Sequence, residues 1–118
     1  MSGRDVSVRR GDIVLVGLDP TAGAEMKKTR PAVIIQNDRG NEYSPTTIIA
    51  PMTSTLSDYP FVVTLSADIE DVTKDSAVLL NQIRTVDIDA RIERTLGQVS
   101  DEKMDEIDDA LKVSLGLD

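Results

Sequence analysis

The sequence contains no cysteine, no histidine and no tryptophan, and only 3% of its residues are aromatic. Without cysteine, the chain has no disulfide, thiol nucleophile, iron–sulfur centre or cysteine-ligated zinc site. Without histidine, it lacks imidazole acid–base catalysis, a Ser-His-Asp triad and most forms of zinc catalysis. Carboxylates, Arg, Lys and hydroxyl groups are left to carry any chemistry, and we expect neither a metal nor another cofactor.

Long apolar runs are also missing. No segment approaches the roughly 18 apolar residues of a membrane span, and the N-terminus lacks the apolar stretch of a secretory signal, so we expect a cytoplasmic protein. The 118 residues suit one domain, and a hydrophobic content of 40% argues against disorder. We predict a flexible N-terminal extension over residues 1–8 and a single domain over residues 9–118.

Charge is distributed unevenly along the chain. The sequence has 13 basic and 21 acidic side chains, for a net charge of −8. Residues 1–45 hold seven basic and six acidic side chains, a balance of +1, so residues 46–118 carry −9. Because a negative body repels polyanions, any nucleic-acid site must be a local positive groove.

Short β-rich runs separated by turn-forming residues dominate the chain. They are rich in Val, Ile and Thr and have the length of strands. The six predicted strands are 13–18, 32–35, 46–50, 61–65, 77–80 and 95–99. Many short strands without long interleaved helices predict a mainly β domain, as a small barrel or rolled sheet.

A C-terminal amphipathic helix is the clearest single element. Ser100 is a suitable N-cap, acidic residues follow it in the first turn, and apolar residues recur at three- and four-residue spacing from Met104 to Leu115. Shorter helical turns are expected around 66–70 and 87–92. The loops 19–29 and 54–60 are the candidate functional connections, since loops longer than a turn requires are often functional.

Arg30 is the first candidate for chemistry. Pro31 fixes the backbone beside it, and its planar guanidinium suits phosphate oxygens, with Lys27 and Lys28 adding charge nearby. The alternative is a solvated basic cluster, or an intramolecular ion pair with a loop carboxylate, Glu25 or Asp19.

Two polar segments supply the other candidates. Thr53 and its neighbours place hydroxyls at the end of the third strand, where a hydroxyl either donates to a phosphate oxygen or satisfies a backbone group in a turn. Asn81, Gln82 and Arg84 follow a buried strand. Amides there can bind base edges and Arg84 can bind phosphate, or the segment is a strand edge with a surface charge. The residues alone leave these alternatives open.

Five stretches resemble one known family. They are RRGDIVLVGLDPTAGAE (9–25), TRPAVIIQND (29–38), SPTTIIAPMTS (44–54), KDSAVLLNQIRTVD (74–87) and LGQVSDEKMDEIDDAL (96–111). In this order they resemble the MazF/PemK toxin endoribonucleases of bacterial toxin–antitoxin systems, over residues 9 to 115. The resemblance implies an SH3-like small barrel with a C-terminal helix and a homodimer whose subunit boundary forms an RNA-binding groove.

The resemblance also implies the roles of individual residues. The family's catalytic Arg and Thr fall on Arg30 and Thr53. Glu25 matches an acidic loop residue that helps to hold substrate. The full set of expected substrate-binding residues is Glu25, Lys27, Lys28, Ser54, Leu56, Asn81, Gln82 and Arg84.

The activity implied is sequence-specific, metal-independent cleavage of single-stranded RNA, with mRNA as substrate and a cognate antitoxin protein as inhibitor. RNA carries its own nucleophile, the 2′-hydroxyl, so an enzyme without Cys, His or metal can cleave it to a 2′,3′-cyclic phosphate and a 5′-hydroxyl. Because arginine keeps its proton at neutral pH, it is a poor general base. Glu25 is the candidate base if its loop folds inward.

The sequence leaves two alternatives to an active endoribonuclease open. The same small barrel serves a non-catalytic toxin type that acts on DNA gyrase by protein contact, and fold alone does not separate the two. The chain also departs from the family where relatives commonly have Gln and Gly before the catalytic Arg: Met26 and Lys28 stand there. That departure is compatible with a family member that has lost activity, and it leaves the RNA sequence preference open.

Overall fold

The computed structural model describes residues 6–18, 28–66 and 75–117. The strands are β1 (Asp12–Leu18), β2 (Lys28–Ile34), β3 (Thr46–Thr53), β4 (Val62–Leu65), β5 (Ser76–Leu79), β6 (Arg84–Asp87) and β7 (Ile92–Gln98). The helices are α1 (Asp38–Tyr43), α2 (Ile88–Arg91) and α3 (Asp101–Leu115). The predictions of a mainly β domain and of a C-terminal helix are confirmed.

The strands form an antiparallel sheet in the order β4-β5-β3-β2-β1-β7, and β6 pairs with β3 beside this path. Strand β3 is long enough to pair with β2 along one edge and with two strands along the other. Its N-terminal half pairs with β6, and its last residues pair with β5. The sheet is therefore built around β3, which ends at the candidate residue Thr53.

Both faces of the central strands are buried. The first core cluster packs one face, with Val33, Ala50 and Met52, against Ile107 and Ala110 of α3. The second core cluster covers the other face and is formed by Val8, Val14, Val16, Ala32, Ile34, Ile49, Val86, Ile88 and Ile92. Because side chains alternate between faces along a strand and both faces are buried here, β1 after Asp12 and the second half of β2 are nearly continuous apolar runs rather than alternating ones.

Helix α3 begins and ends with well-formed caps. The Ser100 side chain accepts a hydrogen bond from the Lys103 N–H, and acidic residues occupy the first turn, where the helix dipole favours them. Gly116 ends the helix in the left-handed conformation, at φ 70°, which glycine adopts without steric cost. The Arg10 guanidinium joins α3 to the sheet: it forms an ion pair of 2.6 Å with Asp108 and donates to the Ile35 carbonyl.

Helix α1 and strand β6 were not predicted. The segment 37–41 has the composition of a turn, but Asn37 caps a helix of six residues there. A buried polar network holds this helix against β3: the Thr47 hydroxyl donates to Asn41 Oδ1 at 2.6 Å, and Gln36 Nε2 donates to the same oxygen at 3.1 Å. Strand β6 has a single buried side chain, Val86, so its sequence carries little hydrophobic signal.

Several predicted boundaries shift. Strand β2 begins at Lys28, four residues earlier than predicted, and β3 runs three residues further, to Thr53. The helical turn expected at 87–92 is present as α2, capped by Asp87. The turn expected at 66–70 lies almost entirely outside the described residues, and the boundary at residue 8 stays a prediction. Within the described ranges, no helix is both long and apolar enough to span a membrane.

Candidate active site

Arg30 lies within a strand. We predicted it at the end of a loop over 19–29, but Lys28 and Thr29 already belong to β2, and Arg30 is paired in register with Val16 of β1. This part of the loop prediction was wrong, because pairing with β1 extends β2 through residues that have no apolar pattern. The side chain of Arg30 is exposed. Its backbone is therefore held by a neighbouring strand while its guanidinium reaches solvent.

The register between β2 and β3 relates Arg30 to Thr53. The ladder between the two strands ends at the pair Ala32 and Pro51, and the same register, continued for two residues beyond it, sets Arg30 opposite Thr53. Pro31 lies at the first position beyond the last pair, and proline has no N–H to donate to a ladder. Residues at the same level of an antiparallel pair share a face, so both side chains belong to the face that carries the second core cluster.

The Thr53 hydroxyl accepts one hydrogen bond and has a proton to give. Its Oγ1 accepts from the Thr55 backbone N–H at 3.2 Å, as expected for a hydroxyl in a turn. A threonine hydroxyl has one donor and two acceptor positions. The turn and a role with substrate are therefore compatible, because the N–H uses an acceptor position and leaves the O–H free to donate.

Within the described ranges, no carboxylate forms an ion pair with Arg30. The carboxylates proposed as alternative partners, Asp19 and Glu25, lie outside these ranges. A guanidinium beside a hydroxyl donor offers positive charge and several N–H groups to an anion. This arrangement suits a phosphate.

The other expected substrate-binding residues surround this pair at different distances. Arg84 is level with Ile49, which shares a face of β3 with Thr53 four residues away, so Arg84 stands about 13 Å along the strand direction from Thr53. Asn81 and Gln82 are exposed in the turn between β5 and β6. Ser54 and Leu56 are exposed in the loop that follows β3.

Three of the expected substrate-binding residues have no described side chain. Glu25 and Lys27 lie outside the described residues, and of Lys28 only the backbone, the first position of β2, is described. In the portion of the chain that is described, no group of three or more acidic side chains is arranged to hold a metal ion.

Sequence reasoning missed an aromatic pair near these residues. The rings of Tyr59 and Phe61 are stacked in parallel, with centroids 5.1 Å apart and an interplanar angle of 6°. The signal in the sequence is the spacing of two residues around Pro60, but the local pattern places Tyr59 in a turn and Phe61 in a strand and does not predict that their rings stack.

A family model for the PemK-like, MazF-like toxins of type II toxin–antitoxin systems matches residues 9–115. The chain belongs to this family. An endoribonuclease MazF of Staphylococcus saprophyticus is 45% identical over 112 residues, which cover 93% of this chain and 92% of that protein. The PemK/MazF assignment agrees with the resemblance seen in the sequence.

Solved structures of PemK/MazF relatives share the fold. A MazE–MazF complex from Deinococcus radiodurans superimposes with a TM-score of 0.82 and 29% identity, covering 97% of this chain and all of the other. A mycobacterial endoribonuclease in complex with its cognate antitoxin gives a TM-score of 0.77 at 24% identity, covering 95% and 98% of the two chains. The second likeness concerns the fold alone.

Proposed function

We propose that this protein is a toxin endoribonuclease that cleaves single-stranded RNA, with mRNA as its substrate and Arg30 and Thr53 as its catalytic residues. The observation that supports the proposal is the register between β2 and β3, which, continued two residues beyond the pair Ala32 and Pro51, sets these two side chains level on one face of the sheet. Membership in the PemK/MazF family and the 45% identity to an endoribonuclease MazF support the same activity.

The chemistry uses the substrate's own nucleophile. The 2′-oxygen attacks the adjacent phosphorus, the bond from phosphorus to the 5′-oxygen breaks, and the products are a 2′,3′-cyclic phosphate and a 5′-hydroxyl. The 2′-hydroxyl proton passes to a base, and the leaving 5′-oxygen takes up a proton. Negative charge develops on the non-bridging oxygens between these events, and donors fixed at that position lower the barrier.

Arg30 and Thr53 have distinct tasks in this scheme. The Arg30 guanidinium balances the developing charge and presents two parallel N–H groups to phosphate oxygens. The Thr53 hydroxyl donates its free proton to a non-bridging oxygen while the Thr55 N–H fixes the position of Oγ1. We propose Glu25 as the general base. Arg84, Asn81, Gln82, Ser54, Leu56, Lys27 and Lys28 bind the flanking nucleotides, and the bases that they select give the cleavage its sequence specificity.

We further propose that the protein works as a cytoplasmic homodimer inhibited by a cognate antitoxin. The complex of MazE with MazF from Deinococcus radiodurans supports an antitoxin partner. A positive site on a chain with net charge −8 is suited to an acidic or partly apolar tail that competes with RNA. Protection of RNA by such a tail and growth arrest in its absence are the expected consequences.

The test compares four substrates of one sequence: RNA, DNA, RNA in the presence of chelator, and RNA with a single 2′-deoxynucleotide before the mapped cut. We expect cleavage of RNA with or without chelator, and none of DNA or at the deoxy position. Arg30→Ala is expected to abolish cleavage while the protein stays folded. Absence of cleavage with every RNA tested would instead favour the non-catalytic binding module, and loss of cleavage on chelation would contradict the metal-independent mechanism.

A further inference from the structure

Aromatic side chains are scarce here, and most of them lie together. The chain has two Tyr, one Phe and no Trp, and Tyr59 and Phe61 stack on each other. Phe61 is half-buried, whereas Tyr59 is 61% exposed. One face of the Tyr59 ring is therefore occupied by Phe61, and the ring is otherwise largely open to solvent.

The backbone holds this pair in a fixed place. The Val62 N–H donates to the Tyr59 carbonyl at 3.0 Å, and the Leu80 N–H donates to the Phe61 carbonyl at 3.0 Å. Leu80 is followed by Asn81, in the turn whose amides we assign to RNA binding. The aromatic pair and these amides therefore border the same edge of the sheet. A ring already immobilised by stacking loses little conformational freedom when it binds a second ring.

The distance from the proposed cleavage site suits a short RNA segment. Thr53 is paired with Ala77 of β5, and Ala77 is paired with Thr64 of β4. Phe61 precedes Thr64 by three residues, so it stands about 10 Å along and two strand spacings across from Thr53, or about 14 Å in all. At the rise of about 3.4 Å per nucleotide of a stacked strand, this straight-line separation corresponds to about four nucleotides, which is the smallest number that connects the two places.

The loop 54–60 supplies the path between the two places. It begins directly after Thr53 and ends beside Phe61, and Ser54 and Leu56 are exposed along it. Phe61 immediately precedes β4, and the alternation of that strand continued by one residue puts it on the side of Val63, which belongs to the first core cluster and lies on the opposite face of the sheet from Arg30. RNA that reaches both places therefore follows the loop around the sheet edge.

We propose that Tyr59, supported by Phe61, is a stacking platform for one nucleobase of the RNA, at least about four nucleotides from the scissile linkage. The inference rests on the proposed endoribonuclease function and adds a positioning residue to it. Exposed aromatic rings bind single-stranded nucleic acid because every base has a π face. The neighbouring Asp58 is exposed and repels phosphate, so the contact at this edge is with a base rather than with the backbone. On an acidic protein, such an uncharged contact contributes affinity that charge does not.

The experiment combines Tyr59→Ala with abasic RNA. An oligonucleotide with one cleavage site is prepared intact and with a single abasic position at each of the flanking nucleotides, and kcat/KM is measured for each. With the parent protein, we expect one position, at least about four nucleotides from the cut, where base removal lowers kcat/KM about 5- to 150-fold, the range of one stacking contact. With Tyr59→Ala, kcat/KM for intact RNA is expected to fall by the same factor, and removal of the base at that position is expected to cause no further fall.

Two variants serve as controls. Tyr59→Phe keeps the ring and is expected to keep the abasic profile of the parent protein. Tyr43→Ala removes the other exposed tyrosine, on α1, next to the end of β3 that is farthest from Thr53, and is expected to change nothing. Coupling between ring and base in this double-mutant cycle is not produced by a loss of folding, because partial unfolding lowers cleavage of all substrates alike.

The outcomes separate the inference from the function. If the parent protein cleaves RNA and Tyr59→Ala keeps the parent abasic profile, the stacking platform is refuted while the endoribonuclease stands. Equal loss on every substrate identifies a structural role, and loss of antitoxin inhibition alone identifies a protein contact; either result overturns the proposal. If the parent protein cleaves no RNA, the proposed function fails, and this inference falls with it.

Discussion

Replacing Thr53 by valine tests the proposed chemistry most directly. Valine keeps the shape and the β-branching of threonine and removes the hydroxyl. If that hydroxyl donates to a charge that develops in the transition state, its loss costs about 2.7–4 kcal/mol, or a factor of about 10²–10³ in the cleavage rate. Thr53→Ser keeps the donor and is expected to retain most of the activity.

The structure limits what the same change does to folding. Thr53 Oγ1 has one hydrogen bond to a described residue, from the Thr55 N–H, and this bond is exposed, so water replaces it when the hydroxyl is removed. A net loss of about 0.5–1 kcal/mol in the free energy of unfolding is expected, which lowers Tm by about 4 °C at most. Activity and stability are thus predicted to change by very different amounts.

The assay is single-turnover cleavage of a labelled RNA, with thermal unfolding measured on the same samples. Thr64→Val is the matched control, because Thr64 is an exposed strand threonine that lies level with the half-buried Thr53 two strands away. It is expected to leave the cleavage rate unchanged. A Thr53→Val protein that cleaves within about threefold of the parent rate would refute the donor role, since the smallest expected loss is about 100-fold.

Three further predictions concern binding and stability. RNA affinity measured across a salt series should fall with a shallow slope, approaching about −0.7 per neutralised phosphate, because few cations on this acidic chain contact RNA; a slope typical of a strongly basic binder would contradict this. In chemical denaturation, Asn41→Ala is expected to lower the free energy of unfolding by about 3 kcal/mol and Thr47→Val by about 1 kcal/mol. Asn41→Ala leaves the buried Thr47 hydroxyl without its acceptor, whereas Thr47→Val leaves Asn41 Oδ1 bonded to Gln36. Equal losses would contradict this arrangement of hydrogen bonds. Gly116→Ala should lower the free energy of unfolding by about 1 kcal/mol, because its Cβ meets no atom within 4 Å and only the left-handed backbone is penalised; an unchanged midpoint would show that the helix end tolerates the change.

The elements that could be predicted are those whose apolar residues repeat at the period of their own structure. Helix α3 is the clearest example, with Ile107 and Ala110 buried at helical spacing and Ser100 as its cap. Strand β6 and helix α1 could not be predicted, because neither has such a repeat of apolar residues. The first buries one side chain, and the second is held by buried hydrogen bonds of Asn41 rather than by apolar contacts.

The candidate site shows the same division. The residue types of Arg30 and Thr53 indicate chemistry, and the family resemblance implies their roles. Their juxtaposition, however, depends on the register between β2 and β3, and this register joins residues that are about twenty positions apart in the sequence. The stacking of Tyr59 on Phe61 could not be predicted, because the orientation of the two rings is set by tertiary packing. Local pattern carries no information on either feature.

The position of β1 in the sheet has a consequence for synthesis on the ribosome. β1 lies between β2 and β7, yet β7 ends at Gln98, about 80 residues after β1 ends. At about 5–20 residues per second, the nascent chain therefore waits about 4–16 s with one edge of its first strand without its native partner. Throughout that interval β2, the strand that carries Arg30, is paired with a strand whose other edge lacks its native partner, so the sheet that holds Arg30 in place is complete only once β7 has been synthesised.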